Sequence, residues 1–128
     1  MDQQQAREYL LSKPFTVQTS PFGEDVCVFK VKHKMFATLA LGKMGKDKNE
    51  SDSICWMNLK CDPQEAIMLR DVFPSVIPGY HMSKVHWNTV KLDGSIPEGE
   101  LKRMMDNSFN LVVNNMTKED QQSILPHL

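Results

Sequence analysis

The sequence predicts an α+β fold: a single compact domain in which one antiparallel β-sheet packs against helices, in the order α-β-β-β-β-α-β-α. Three observations carry this expectation. Apolar residues recur at helical spacing near both ends of the chain. Runs rich in β-branched and aromatic residues crowd the stretch between residues 15 and 60. Those runs follow one another before a second helix is signalled, which reads as an antiparallel sheet flanked by helices. The 128 residues suit one domain, spanning 1–128, with no linker and no internal repeat.

Each element has its own signal. Asp2 is placed to cap a first helix, with Gln5 three residues on as the other half of a capping box, and Ala6, Tyr9 and Leu10 give its apolar stripe. Lys13-Pro14 ends it, because the residue before proline avoids the α region. Four extended segments follow, Phe15 to Thr19, Val26 to Lys32, Met35 to Leu41 and Ser53 to Leu59, with His33 at a tight hairpin between the second and third. Alternation places Met35, Ala37, Leu39 and Leu41 on one face of the third, and Cys55, Met57 and Leu59 opposite Ile54 and Trp56 on the fourth. Gly42 to Asp52 is polar and glycine-bearing, and reads as a loop. Asp62-Pro63-Gln64-Glu65 opens a second helix whose stripe is Ala66, Leu69 and Phe73, and Pro74 stops it. Ser75 to Lys84 carries Pro78-Gly79 and reads as a loop or irregular strand. His86 to Leu92 is a strand that closes in Asp93-Gly94. From Pro97 a long helix buries Leu101, Met104 or Met105, Phe109, Val112 and Met116, and Thr117 caps a short last one.

Composition sets the function classes. No stretch approaches the ~18 consecutive apolar residues of a membrane span, and the polar, acidic N-terminus lacks the basic-then-apolar pattern of a secretory signal. Cys27, Cys55 and Cys61 form an odd set without a C-x-x-C pair, which fits a reducing cytoplasm; a monomer is the expected state. The net charge of −1 hides an uneven distribution. Val26 to Lys46 holds Lys30, Lys32, Lys34, Lys43 and Lys46 and no acidic residue, so that stretch carries +5 and the remainder −6. Lys30, Lys32 and Lys34 lie on and around the hairpin, with Lys30 and Lys32 expected on one face. Lys43, Lys46 and Lys48 lie on the next connection, roughly 20 Å away along a strand rising ~3.3 Å per residue. Two basic loops of this kind suit phosphate contacts of no sequence preference. Lysines on strand edges also serve solubility, which is the plainer account of them. Base reading is not supported, since arginines are few and scattered.

A second feature is PGYHMSKVHWNTV, from Pro78 to Val90, which packs Tyr80, His81, Lys84, His86, Trp87 and Asn88 into one short segment. Tyr and Trp offer stacking faces, while His, Lys and Asn supply hydrogen bonds and charge. This is the candidate ligand cluster, with Trp87 as a core anchor the plainer alternative. No metal set is expected, since His81 and His86 lack a fixed spacing that brings both to one ion. No paired carboxylates, nucleophile elbow or phosphate-binding glycine motif occurs, so neither a catalytic residue nor a cofactor is assigned.

FGEDVCVFKVKHKMFATLAL, NLKCDPQEA, PGYHMSKVHWNTVKLDGSIP and SFNLVV, in this order and spacing, resemble the MmcQ/YjbR family of small bacterial proteins, from about Pro14 to Met116. The resemblance implies a fold similar to that of frataxin/CyaY-like proteins and a non-catalytic DNA-binding role through two wing-like loops. On this sequence the wings fall on Lys30 to Lys34 and on Lys43 to Lys48. The frataxin iron ridge does not carry over, because the first helix offers only Asp2 and Glu8. The competing expectation is a small-ligand-binding protein, or an enzyme, built on Tyr80, His81, Lys84, His86 and Trp87.

Overall fold

Capping chemistry sets the helix starts in the computed structural model, which describes residues 1–21, 23, 25–41 and 54–128. Asp2 and Gln5 close the expected capping box at the head of α1 (Gln3–Leu11), each side chain accepting the other's backbone N–H at 2.8–2.9 Å. Asp62 accepts from the N–H groups of Gln64 and Glu65 to open α2 (Pro63–Val72). The long α3 (Glu98–Asn114) starts at Pro97 without a side-chain cap, and Glu98 and Glu100 complement its N-terminal dipole instead. Thr117 caps α4 (Lys118–Ile124) as expected.

Between these helices lie β1 (Thr16–Thr19), β2 (Val26–Val31), β3 (Lys34–Leu41), β4 (Cys55–Lys60), β5 (Val76–Pro78) and β6 (Trp87–Lys91). They form one six-stranded sheet in the order β1-β2-β3-β4-β6-β5, every pairing antiparallel. β5 adds a sixth strand where sequence left a loop or irregular strand open. It is three residues long and ends in Pro78, which suits an outer position where no second neighbour needs its missing N–H.

All four helices pack on one side of the sheet. Ala6 and Leu10 of α1, Ala66 and Leu69 of α2, Met105 and Phe109 of α3 and Ile124 of α4 share a buried cluster with Phe29, Val31, Leu39, Met57 and Val90 of the strands. The other side carries a smaller cluster of strand residues alone: Val26, Val28 and Ala40, with Met35 packed against them.

Met35 corrects the alternation expected for β3. It falls on the opposite side from Ala37 and Leu39 because the register shifts between Phe29 and Lys30 of β2: Phe29 opposes Ala37, whereas Lys30 opposes Met35. Phe36 is therefore an extra residue in β3, a bulge, and both Phe36 and Ala37 enter the helix-side core. Ser108 of α3, fully buried, closes the gap. Its hydroxyl donates to the Phe36 carbonyl at 2.5 Å and accepts the Lys60 N–H at 2.9 Å, bridging β3 and β4 below their last residue pair, Ala37 and Leu59.

The β2–β3 hairpin turns on Lys32 and His33, both left-handed at φ 45° and 70°. Consecutive left-handed residues match the twist of the flanking strands. They also overturn the expectation that Lys30 and Lys32 share a face. Lys30 stays in the strand on the helix-free side with Met35, while Lys32 leaves the strand and reaches α4, contacting Ser123 and lying 4.0 Å from Asp120.

The connection from β5 to β6 doubles back tightly on itself. Gly79 N–H donates to the Trp87 carbonyl at 2.9 Å and Trp87 N–H to the Ser83 carbonyl at 3.0 Å. A side chain at Gly79 would place its Cβ 2.9 Å from that of Trp87, so only glycine fits without displacing the strand.

Three outcomes follow from these contacts. Ser108→Ala leaves the buried Phe36 carbonyl and the half-buried Lys60 N–H without this partner, at ~1–3 kcal/mol; a urea melt should show the loss, and an unchanged midpoint would mean the bridge is dispensable. Gly79→Ala should cost a comparable amount through the clash at Trp87, read by thermal melting. Burial, and then the hydrogen bond to Asp106 of α3, pushes the Tyr9 hydroxyl up to about 12 from its ordinary 10. Its folded-state pKa is raised, so its contribution is intact below pH 10 and is lost as pH rises toward 12. Tyr9→Phe should accordingly flatten the fall in stability over that interval.

Candidate nucleic-acid interface

The strands carry a one-sided charge. Lys30, Lys34, Lys60 and Lys91 are their charged residues, and none of the six strands contains Asp or Glu. The four helices hold eight acidic and five basic residues, a net −3. Charge is therefore segregated between the layers of the fold as well as along the sequence.

Register places Lys30, Lys60, Lys91 and the two tryptophans on the helix-free side, whereas Lys34, paired with Val31 at the hairpin end, falls on the helix side. Leu59, Met57 and Val90 face the core, so Asn58 and Lys60 of β4 and Trp87, Thr89 and Lys91 of β6 project the other way, with Trp56. Lys60 stands opposite Trp87 and Trp56 opposite Lys91, whose ammonium lies 5.2 Å from the Trp56 ring centroid. Each pairing sets a cation beside an indole, the combination that suits a polyanion bearing flat bases.

The segment after β5 folds over part of this side. Tyr80 N–H donates to the Thr89 hydroxyl at 2.8 Å, and that hydroxyl donates to Asn58 Oδ1. The Tyr80 ring meets Trp56 edge-on at 5.6 Å, and His81 packs against Tyr80 at 4.1 Å between ring centroids. His81 sits at φ 59°, a left-handed conformation that is uncommon outside glycine. The imidazole is exposed, outside the half-buried Tyr80.

The structure divides the cluster read from PGYHMSKVHWNTV. Tyr80 meets Trp56 edge-on, and His81 packs in turn against Tyr80. Lys84 is folded back, its ammonium donating to the Gly79 carbonyl at 3.0 Å. Asn88 faces the helices and is buried, accepting from Arg70 Nε at 2.7 Å. Arg70 also donates to the carbonyls of Lys84 and Trp87, so one guanidinium of α2 fixes the whole segment. Lys84 and Asn88 thus have positioning roles. His86 and Trp87 stand apart from Tyr80, beside an open hollow of about 310 Å³ that Lys60, Asp62, Leu111 and Asn115 also line. That volume lies at the small end for ligand sites.

Arg70 had no signal in the sequence, because its partners are 14–18 residues away and only the docking of α2 beside β6 unites them. Lys60 and Lys91 carry no signal in the sequence, because each is a lone lysine at the end of its strand. Of the hairpin lysines, Lys34 is exposed and Lys30 half-buried. Lys32 is engaged by Ser123 and Asp120, with the Phe15 ring 5.0 Å away. Lys43, Lys46 and Lys48 lie outside the described residues.

Cys61 lines the hollow, but burial, followed by the charges of Glu65 and Asp62, pushes its thiol up to about 11, away from the nucleophilic thiolate. Among the described residues no three His, Cys, Asp or Glu side chains gather to hold a metal, and no helix is long and apolar enough to cross a membrane.

Comparison with known proteins agrees with this architecture. The YjbR family matches residues 11–111. YbdF of Escherichia coli O157:H7, named as an uncharacterized protein, is 35% identical over 121 residues, covering 94% of this chain and 92% of its own. YjbR of Escherichia coli K12, named likewise, is 29% identical over 118 residues, covering 92% of each chain. Among solved structures, a Deinococcus radiodurans protein with a DUF419 domain superposes with a TM-score of 0.81 at 30% identity, over 96% of this chain and 87% of that one. A Pseudomonas syringae protein gives 0.74 at 31% identity, over 88% and 99%. With most of its length matched by the family and by relatives of nearly equal size, this chain belongs to the YjbR family.

Proposed function

We propose that the chain is a non-catalytic DNA-binding protein that grips phosphates with lysines and works as a cytoplasmic monomer. The observation that carries the reading is the charge of the strands: four lysines and no carboxylate, against a net-negative set of helices. A polyanion is attracted to the first and repelled by the second. Lys30 and Lys34 of the hairpin are the first wing, and Lys60 and Lys91 extend the basic surface across the sheet. The second wing, with Lys43, Lys46 and Lys48, joins on sequence grounds alone. Lys32 drops out of the contact set, because its ammonium is held by α4. Three free thiols fit the reducing compartment.

The competing reading, a ligand-binding protein or enzyme centred on Tyr80, His81, Lys84, His86 and Trp87, has less behind it. Its five side chains do not converge: Lys84 is bonded to Gly79, and the two histidines belong to different surroundings.

Binding of duplex DNA measured over a range of salt tests the proposal. Affinity should fall steeply as salt rises. Lys30→Ala, Lys34→Ala, Lys60→Ala and Lys91→Ala combined should lower the slope of log K against log salt by ~0.9 for each phosphate no longer neutralised. Arg7→Ala on α1 should change nothing. Equal binding by the four-lysine variant, or none by the parent at low salt to any nucleic acid, would overturn the reading.

A further inference from the structure

We propose further that the nucleic acid taken by this surface is single-stranded, and that its bases stack on Trp87 and on the Tyr80–His81 pair. The inference rests on the phosphate-binding reading above and adds the class of partner.

The first ground is what the surface lacks. Among the described residues all four helices lie on the other side of the sheet, and none projects from the basic side to enter a major groove. The hairpin turn is two residues long and its Lys32 is drawn back to α4, so this wing has little reach toward a duplex backbone.

The second ground is what the surface offers. Single strands are held by a cationic track interleaved with aromatic platforms, since every base has a π-face to stack. β6 supplies both at two places. At its start Trp87 is half-buried, with Lys60 opposite it on β4. At its end Lys91 lies over Trp56, whose edge contacts Tyr80, and Tyr80 in turn backs the exposed ring of His81. The two stations are four residues apart on one strand, or roughly 14 Å at ~3.4 Å per residue. Neither platform is loose. Gly79 and Trp87 are locked backbone to backbone, Tyr80 N–H is bonded to Thr89, and Arg70 holds the carbonyls of Lys84 and Trp87. The left-handed backbone at His81 is the strained position through which its ring is presented.

The hollow beside Trp87 opens at the end of the sheet toward α2 and α3 and adjoins the first station. Pro63 and Leu111 are its apolar walls, and His86, Lys60 and Asn115 its polar rim. Asp62 is the one carboxylate there, and its oxygen is committed to the N–H groups of Gln64 and Glu65 at the start of α2. Apolar walls with a donor-bearing rim suit one splayed base and its phosphate.

Fluorescence anisotropy at low and moderate salt decides the matter, with three labelled probes of equal length: an oligodeoxythymidine, a duplex and an abasic single strand. The intact protein should bind the oligodeoxythymidine about tenfold more tightly than the abasic strand, as expected for stacked bases, and more tightly than the duplex. Trp87→Leu should lose most of that margin and Trp87→Phe should keep it. His81→Ala, at an exposed position, should weaken the oligodeoxythymidine alone, and it carries the test if Trp87→Leu does not fold. Equal or tighter binding of the duplex, equal binding of the abasic strand, or unchanged affinity in His81→Ala with a folded, unaffected Trp87→Leu would overturn this inference while leaving phosphate binding intact. No binding of any probe would overturn both.

Discussion

One buried hydroxyl decides how this sheet is divided. Where β3 accommodates the extra residue Phe36, two backbone groups of neighbouring strands are left without each other, and Ser108 supplies the missing link from α3. Because side chains alternate along a strand, a single inserted residue reverses every position beyond it. The bulge lets Phe36 and Ala37 both enter the helix-side core, where Phe36 meets Phe109 edge-on at 5.3 Å, while Met35 and Lys30 stay on the other side. The placing of Phe36 in the helix-side core, with Lys30 and Met35 on the other side, rests on that local irregularity and on the α3 residue that stabilises it.

Features whose physics is local were legible in the sequence. Asp2 with Gln5 and Asp62 with Pro63 predicted helix starts because a cap and its partner lie within four residues. The apolar stripe of α3 and the turn at His33 were legible for the same reason. What escaped was non-local. The pairing of β5 depends on β6, the bulge at Phe36 on a serine 72 residues away, and the role of Arg70 on carbonyls that are near only in the folded chain.

The candidate site shows the same division. The lysine-rich hairpin was visible as a run of charge, and Trp87 as part of a dense segment. Which members of that segment face the helices and which face out is set by register, so Asn88 and Trp87, adjacent in sequence, belong to different sides. Lys32 was misplaced because a left-handed turn interrupts the period-two rule that holds one residue earlier.

The segregation of charge between layers has an electrical consequence. A body with a net charge of −1 migrates almost as a neutral one, yet lysine-bearing strands packed on net-negative helices give it a dipole across the sheet. Near a line of phosphates, such a molecule feels little net pull at a distance and a turning torque as it closes in. If the proposed reading holds, orientation would precede contact, and encounters with a polyanion would begin sheet-first. Salt acts on this alignment mainly within about a Debye length, ~8 Å at physiological ionic strength, so the torque operates over the last few solvent layers.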